Sequence, residues 1–239
     1  MIEKFAPRIL LRIRSYRYSQ HEPEINYIDR YCSVDGISVD IGAHQGVYTY
    51  VMSRKSKKCI AFEAHPYYTD KLKKAAPKNV VVHNLAISDF NGTAKLKIPN
   101  GKVGLATIDP NNKLQVKKEN LVEIAEIEVK TATLDSLIDE KVDFIKIDVE
   151  GHEISVLNGA INILMKYHPV VMVEVEERHV SGRIEAVNNF FSNICYKGYF
   201  LNEGLLKDIS YFDINKYQTI SSSGEPVSPY INNFIFIKN

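Results

Sequence analysis

Apolar runs are short throughout this 239-residue chain, and none nears the roughly 20 residues that cross a bilayer as a helix. Cysteine is scarce. Cys32, Cys59 and Cys195 lie far apart with no CxxC pair, which argues against a zinc site or a disulfide framework. An excess of one charge is missing too: 30 Lys and Arg face 29 Asp and Glu, for a net charge of +1. Without a basic stripe, nucleic acid is not an expected partner. Repeats and low-complexity linkers are absent, so one domain is expected over residues 37–239, behind an N-terminal extension at residues 1–36. The basic start has no apolar signal-peptide core, and a reducing cytoplasm is the expected setting.

What remains is ordinary for a globular enzyme-sized chain, with 45% hydrophobic and 25% charged residues. Near the start, Lys4, Arg8, Arg12, Arg14 and Arg17 interleave with Phe5, Ile9, Leu10, Leu11 and Ile13. That pattern fits a helix lying on a membrane surface or acidic partner, or a packing helix with a solvated basic face. The shortness of the segment favours packing.

Strand and helix patterns then alternate. Ile37–Ile41, Cys59–Phe62 and Val80–Val82 read as buried parallel strands, separated by helices over Val47–Met52 and from Pro66 toward Pro77. Residues 91–132 break the rhythm: Asn91-Gly92 signals a turn, and Thr93–Ile98 and Glu126–Lys130 alternate as strands of an antiparallel excursion. This insertion is either a surface hairpin or a wall of a substrate pocket. Regular order resumes with a strand at Val142–Val149, a helix over Glu153–Lys166, a strand at Pro169–Val175 and a helix over Ile184–Tyr196. Tyr199–Leu201 and Phe234–Ile237 are the last strands, and Ser221–Gly224 reads as a loop. Around that loop, Tyr196, Tyr199, Tyr211, Tyr217 and Tyr230 are either core and rim aromatics or a surface for stacking sugar rings.

The segment Asp40-Ile41-Gly42-Ala43-His44-Gln45-Gly46 is a strand end running into a glycine-bounded turn, and the next strand ends in Glu63. Nicotinamide and flavin sites want G-x-G-x-x-G for a pyrophosphate. Here the spacing is G-x-x-x-G, with Ala43 and His44 in the way. S-adenosylmethionine carries no phosphate and prefers carboxylates: Asp40 toward its amino-acid end, Glu63 for its ribose hydroxyls. The pairing of Asp40 and Glu63 around the turn favours this donor over the alternative, a purely structural strand-to-helix turn.

A second cluster is Lys146-Ile147-Asp148-Val149-Glu150-Gly151-His152-Glu153. Asp148, Glu150 and His152 fall at a strand's C-terminal end, where open α/β sheets bind ligands. They are the candidate catalytic residues: Asp148 to orient the reacting end, Glu150 or His152 to take a proton. Each has a bland counterpart, since acids suit a helix start and a histidine there can bond to backbone. A divalent metal among them is possible chemistry but not favoured, because spacing along a loop does not establish convergence.

These segments resemble the FkbM-family methyltransferases of the class I, S-adenosylmethionine-dependent type. The match lies in Val39–Gly46, Phe62–Pro66, Asn84–Asp89, Thr133–Leu137, Asp143–Glu153 and Leu157–Ala160, with Asn233–Ile237 similar to the family's closing strand. The resemblance implies a Rossmann-like α/β fold with a seven-stranded, mostly parallel sheet, an antiparallel last strand and the β-hairpin insertion. It implies donor binding by Asp40, Gly42, Ala43, His44, Gly46, Glu63 and Ala64, with Asn84 and Ala86 flanking the adenine and Asp148 shared with catalysis. Transfer to a hydroxyl of a sugar or glycoconjugate is the expected activity. A polyketide-type acceptor and a binding protein without turnover are the alternatives. Amino-directed methylation fits less well, because Asp148-Val149-Glu150-Gly151 stands where an Asn/Asp-Pro-Pro-aromatic loop would be.

Overall fold

A computed structural model describes residues 6–99, 103–112, 124–222 and 225–239. Pro7 opens the first helix, α1 (Pro7–Tyr18), where its missing N–H is no loss. Leu11 and Ser15, one turn apart, form its buried stripe, and Leu11 packs with Leu72 and Ala75. A 3-10 segment, Pro23–Arg30, lays Ile28 against the sheet. The alternating half follows as β1 (Ile37–Ile41), α2 (Val47–Ser53), β2 (Lys58–Glu63), α3 (Pro66–Ala75) and β3 (Val80–Asn84).

The insertion comprises β4 (Ala86–Ile87), β5 (Gly92–Pro99) and β6 (Ile124–Ala132), a separate sheet in which β6 pairs antiparallel with β5 and parallel with β4. Next come α4 (Leu134–Leu137), β7 (Val142–Ile147), α5 (Glu153–Asn158), α6 (Ile161–Tyr167), β8 (Val170–Glu174) and α7 (Arg183–Asn193). The chain closes with β9 (Tyr196–Asn202), β10 (Leu205–Asp208), α8 (Ile214–Tyr217) and β11 (Asn233–Lys238).

The main sheet runs β10-β9-β11-β8-β7-β1-β2-β3, with β11 antiparallel to both neighbours. It therefore has eight strands rather than the seven expected. Glu203 and Gly204, with φ of 52° and 75°, make the tight turn that folds β10 back along β9. Two expected helices are shorter as well. The run over 153–166 breaks at Gly159, where a Cβ would lie 1.9 Å from the Ser88 carbonyl oxygen. α7 stops at Asn193, and Cys195, at φ 60°, turns the chain into β9. Part of the Ser221–Gly224 loop lies outside the described residues.

Strand alternation divides the core between two faces. Phe144, Met172 and Ile235 point to one face with Met52 and Ile28. Ile145, Ile147, Val171, Val173, Phe234 and Phe236 point to the other, under Val156, Leu157, Val187 and Phe191. Asp40, Lys146 and Glu174 continue the first face toward the strands' C-terminal ends, and that places them at the site.

Candidate active site

The strand order reverses between β1 and β7, so the crevice of an open α/β sheet is expected at their C-terminal ends. Gly42 makes the two loops meet there. Its φ is +82°, and a Cβ would stand 1.7 Å from the backbone oxygen of Asp148. Gly46, also left-handed, serves packing instead, because a Cβ there would meet Leu72 at 2.3 Å.

Two adjoining cavities open at this edge. The first, of about 100 Å³, is lined by Gly42, His44, Glu63, Ala64, Ala86 and, from the β7 loop, Asp148, Glu150 and His152. The described part of the insertion supplies its far wall through Leu96, Ala106 and Ile108, the pocket-wall alternative of the two readings. Glu63 is pinned in its wall. Its Oε2 accepts the His44 N–H at 2.6 Å and its Oε1 the His65 N–H at 2.7 Å. Burial pushes its pKa up to about 7 against those two bonds. Asn84 does not reach the cavity. Its amide nitrogen donates to the carbonyls of Glu63 at 2.9 Å and Ala64 at 2.8 Å, bracing the turn that carries Glu63. The His44 ring lies 4.3 Å from that of Tyr68, and burial holds its pKa down at about 4. Its buried Nε2 has no hydrogen-bond partner among the described residues.

The second cavity, of about 230 Å³, holds Asp40, Tyr48, Lys146, Glu174 and Glu22, and shares Gly42, His44 and Asp148 with the first. Lys146 is 1% exposed, a buried cation needing partners. Its Nζ sits 3.5 Å from Glu174 Oε2 and 4.9 Å from the Tyr48 ring centre. Burial works against its charge, but the Glu174 and Asp148 carboxylates outweigh it and raise its pKa. Asp148 is raised well above the carboxylate range, by burial first and by Glu174 next. Asp40 accepts from Thr49 Oγ1 at 2.5 Å, and burial moves its pKa up to about 6.

The three candidate catalytic residues differ in what else they hold. Glu150 Oε2 lies 2.7 Å from His179 Nε2. His152 Nε2 is 2.9 Å from Ser88 Oγ, and burial lowers its pKa. The Asp148 carboxyl makes no hydrogen bond among the described residues, and Asp148 lines both cavities. Among the described residues no group of three or more His, Cys, Asp or Glu is placed to hold a metal. Sequence reasoning missed Lys146, Glu174, Glu22, Tyr48 and His179. For Lys146 and Glu174 a signal existed: charges inside apolar strands that are buried on both faces must meet partners.

A methyltransferase FkbM domain matches residues 40–201, from the acid of the glycine turn to the end of β9. The chain belongs to the FkbM methyltransferase family. Among curated proteins, the hexuronic acid methyltransferase AglP of Haloferax volcanii is 28% identical over 145 residues, 58% of this chain and 55% of AglP. The chain thus spans about half the length of that relative. Methyltransferase FkbM from Methylobacillus flagellatus KT superposes with a TM-score of 0.53 at 15% identity, over 85% of this chain and 44% of that one. A candidate methyltransferase of Streptococcus mutans, in complex with SAH, gives 0.50 at 13% identity over 90% and 96%. At such identities the likeness is one of fold. The FkbM domain lies on a mostly parallel α/β sheet, with the motif residues 40–46, 63 and 148–152 gathered at one edge.

Proposed function

We propose that this protein is an S-adenosylmethionine-dependent O-methyltransferase acting on a sugar hydroxyl, with Asp148 as the group that takes the acceptor's proton. The observation that carries the reading is the pair of cavities meeting at Asp148, one built around a fixed carboxylate and the other around Lys146. The donor's nucleoside would occupy the first cavity and its amino-acid end the edge of the second. Glu63, with both oxygens aimed by backbone N–H groups, keeps lone pairs for two ribose hydroxyls. Ala64 and Ala86 would bracket the adenine, and the unpartnered His44 Nε2 offers a polar contact. Asp40 and the Gly42–Ala43 backbone would hold the amino-acid end. Bound there, S-adenosylmethionine supplies an electrophilic methyl group on a cationic sulfur.

The chain's own task is to place a hydroxyl and accept its proton. Asp148 suits this better than Glu150 or His152, which are occupied by His179 and Ser88. Burial raises its pKa and with it its basicity, and the charge of Lys146 steadies the carboxylate once formed. The sugar acceptor is supported by the similarity to a hexuronic acid methyltransferase. Two measurements test the proposal: calorimetry with S-adenosylmethionine and with NAD, then mass spectrometry of a saccharide panel incubated with labelled donor. Preference for NAD, or transfer to polyketides and not to any sugar, overturns it.

A further inference from the structure

α1 carries more than its packing needs. Leu11 and Ser15 make its inward stripe, and Ser15 Oγ donates to the Leu11 carbonyl at 2.9 Å. On the opposite side Ile9, Ile13 and Tyr16 recur at helical spacing and are 59%, 44% and 70% exposed. By the helical repeat, Arg8 and Arg12 run along one edge of that outward stripe and Arg17 along the other, all three exposed. No acid stands in α1, and among the described residues none of its arginines makes an ion pair. Lys4 and Phe5, from the same basic segment, lie outside the described residues. One apolar stripe thus packs on the fold while a second, edged by cations, meets solvent.

The cationic surface continues past α1. A groove of about 80 Å³ against α3 is lined by apolar Leu10, Leu11 and Ala75 and by the cations Arg14, Lys71 and Lys74. Asp70, exposed on α3, is the only acid in either helix. Nucleic-acid phosphates would engage the arginines and leave the isoleucines in water. A bilayer with anionic headgroups engages both, because the stripe reaches the acyl boundary while long arginine stems keep their charges at headgroup level. We propose that α1, with the cationic side of α3 beside it, docks this protein on an anionic membrane surface without crossing it. Tyr18, at the end of the same helix, lines the Lys146 cavity, so docking brings that cavity close to the bilayer. Docking needs no residue assigned to methyl transfer, and so it holds whatever the acceptor is.

The chain has no tryptophan, which makes Tyr16→Trp a single reporter within the stripe. With low-salt vesicles of phosphatidylcholine containing about one-third phosphatidylserine, its emission should shift to the blue and lose most of its acrylamide quenching. Pure phosphatidylcholine should change neither. In sedimentation with the mixed vesicles, Ile9→Ser with Ile13→Ser, and separately Arg12→Gln with Arg17→Gln, should each cut the bound-to-free ratio roughly fivefold or more. These four side chains are exposed, so melting followed by circular dichroism should match wild type. A pair that melts early is replaced by Ile13→Ser or Arg12→Gln alone. Absence of vesicle binding, a reporter that stays in water, or binding indifferent to the isoleucine change overturns the docking face. Binding to polyglutamate and not to vesicles overturns it too, in favour of an acidic protein.

Discussion

Asp148 is held by its backbone rather than by its side chain: its N–H bonds to the Ile41 carbonyl at 2.9 Å, and Gly42 rests on its oxygen. Asp148→Asn should therefore leave the scaffold intact and remove the proton acceptor. Turnover should fall about 100-fold or more, with donor affinity within a few-fold of wild type by calorimetry. Because burial raises the Asp148 pKa, wild-type kcat should climb with pH as that carboxyl ionises, and the climb should vanish in the variant. Glu63→Gln should show the opposite pattern. One of its two backbone bonds would face an amide donor, so donor binding should weaken at least tenfold and stability drop by about 1–3 kcal/mol, seen in calorimetry and melting. At this scale the sequence was legible where a residue's role is local. Asp40, Gly42 and Glu63 announce themselves by spacing. Asn84 did not, because its bracing of the Glu63 turn depends on β3 pairing beside β2. His179 did not either, since nothing in residues 148–152 foretells a partner nearly thirty positions later.

The elements were legible to the extent that their boundaries are set by their own residues. Pro66 and the His65 cap start α3, and the β-branched runs of β7 and β8 lie where alternation and apolarity place them. The misread boundaries are those set from a distance. The helix pattern over 153–166 is unbroken in sequence, and only the Ser88 carbonyl, packed against Gly159, forces the split into α5 and α6. Since Ser88 Oγ also holds His152, this contact ties helix packing to the site. Gly159→Ala should cost about 1–3 kcal/mol in a denaturant titration, as overpacking against backbone does. It should also lower activity by displacing Ser88 and His152, whereas Ala at the exposed Ser192 of α7 should do neither. β10 was missed although Glu203-Gly204 carried a turn signal, because the short strand after it buries little and shows no strong alternation.

Across the whole molecule, near-neutral net charge conceals an unusual distribution: several carboxyls sit inside the protein and resist ionisation. Burial moves Asp40 up to about 6 and both Glu63 and Glu153 up to about 7, against unfolded values of about 4. Between those limits the folded state holds protons that the unfolded chain has released, so stability falls as pH rises through the window. His44 opposes this lower down. Burial drops its pKa to about 4, so between there and about 6.5 the unfolded chain binds a proton the folded state refuses, and stability rises with pH. His179 works with the carboxyls: burial disfavours its charge, but Glu150 overcomes that and raises its pKa, giving stability that is lost as pH rises. The opposing contributions partly cancel below about pH 6.5, leaving the carboxyls and His179 above it. The ligand-free protein should therefore lose on the order of 1–2 kcal/mol between about pH 6.5 and 8. At this chain length that is several degrees of Tm, at roughly 2–4 °C per kcal/mol. Scanning calorimetry across the interval decides it, with Glu153→Gln flattening the slope. A Tm that rises through the same interval would show that these carboxyls are ionised in the fold, and that the cavities at the β1–β7 edge are wetter than their burial implies.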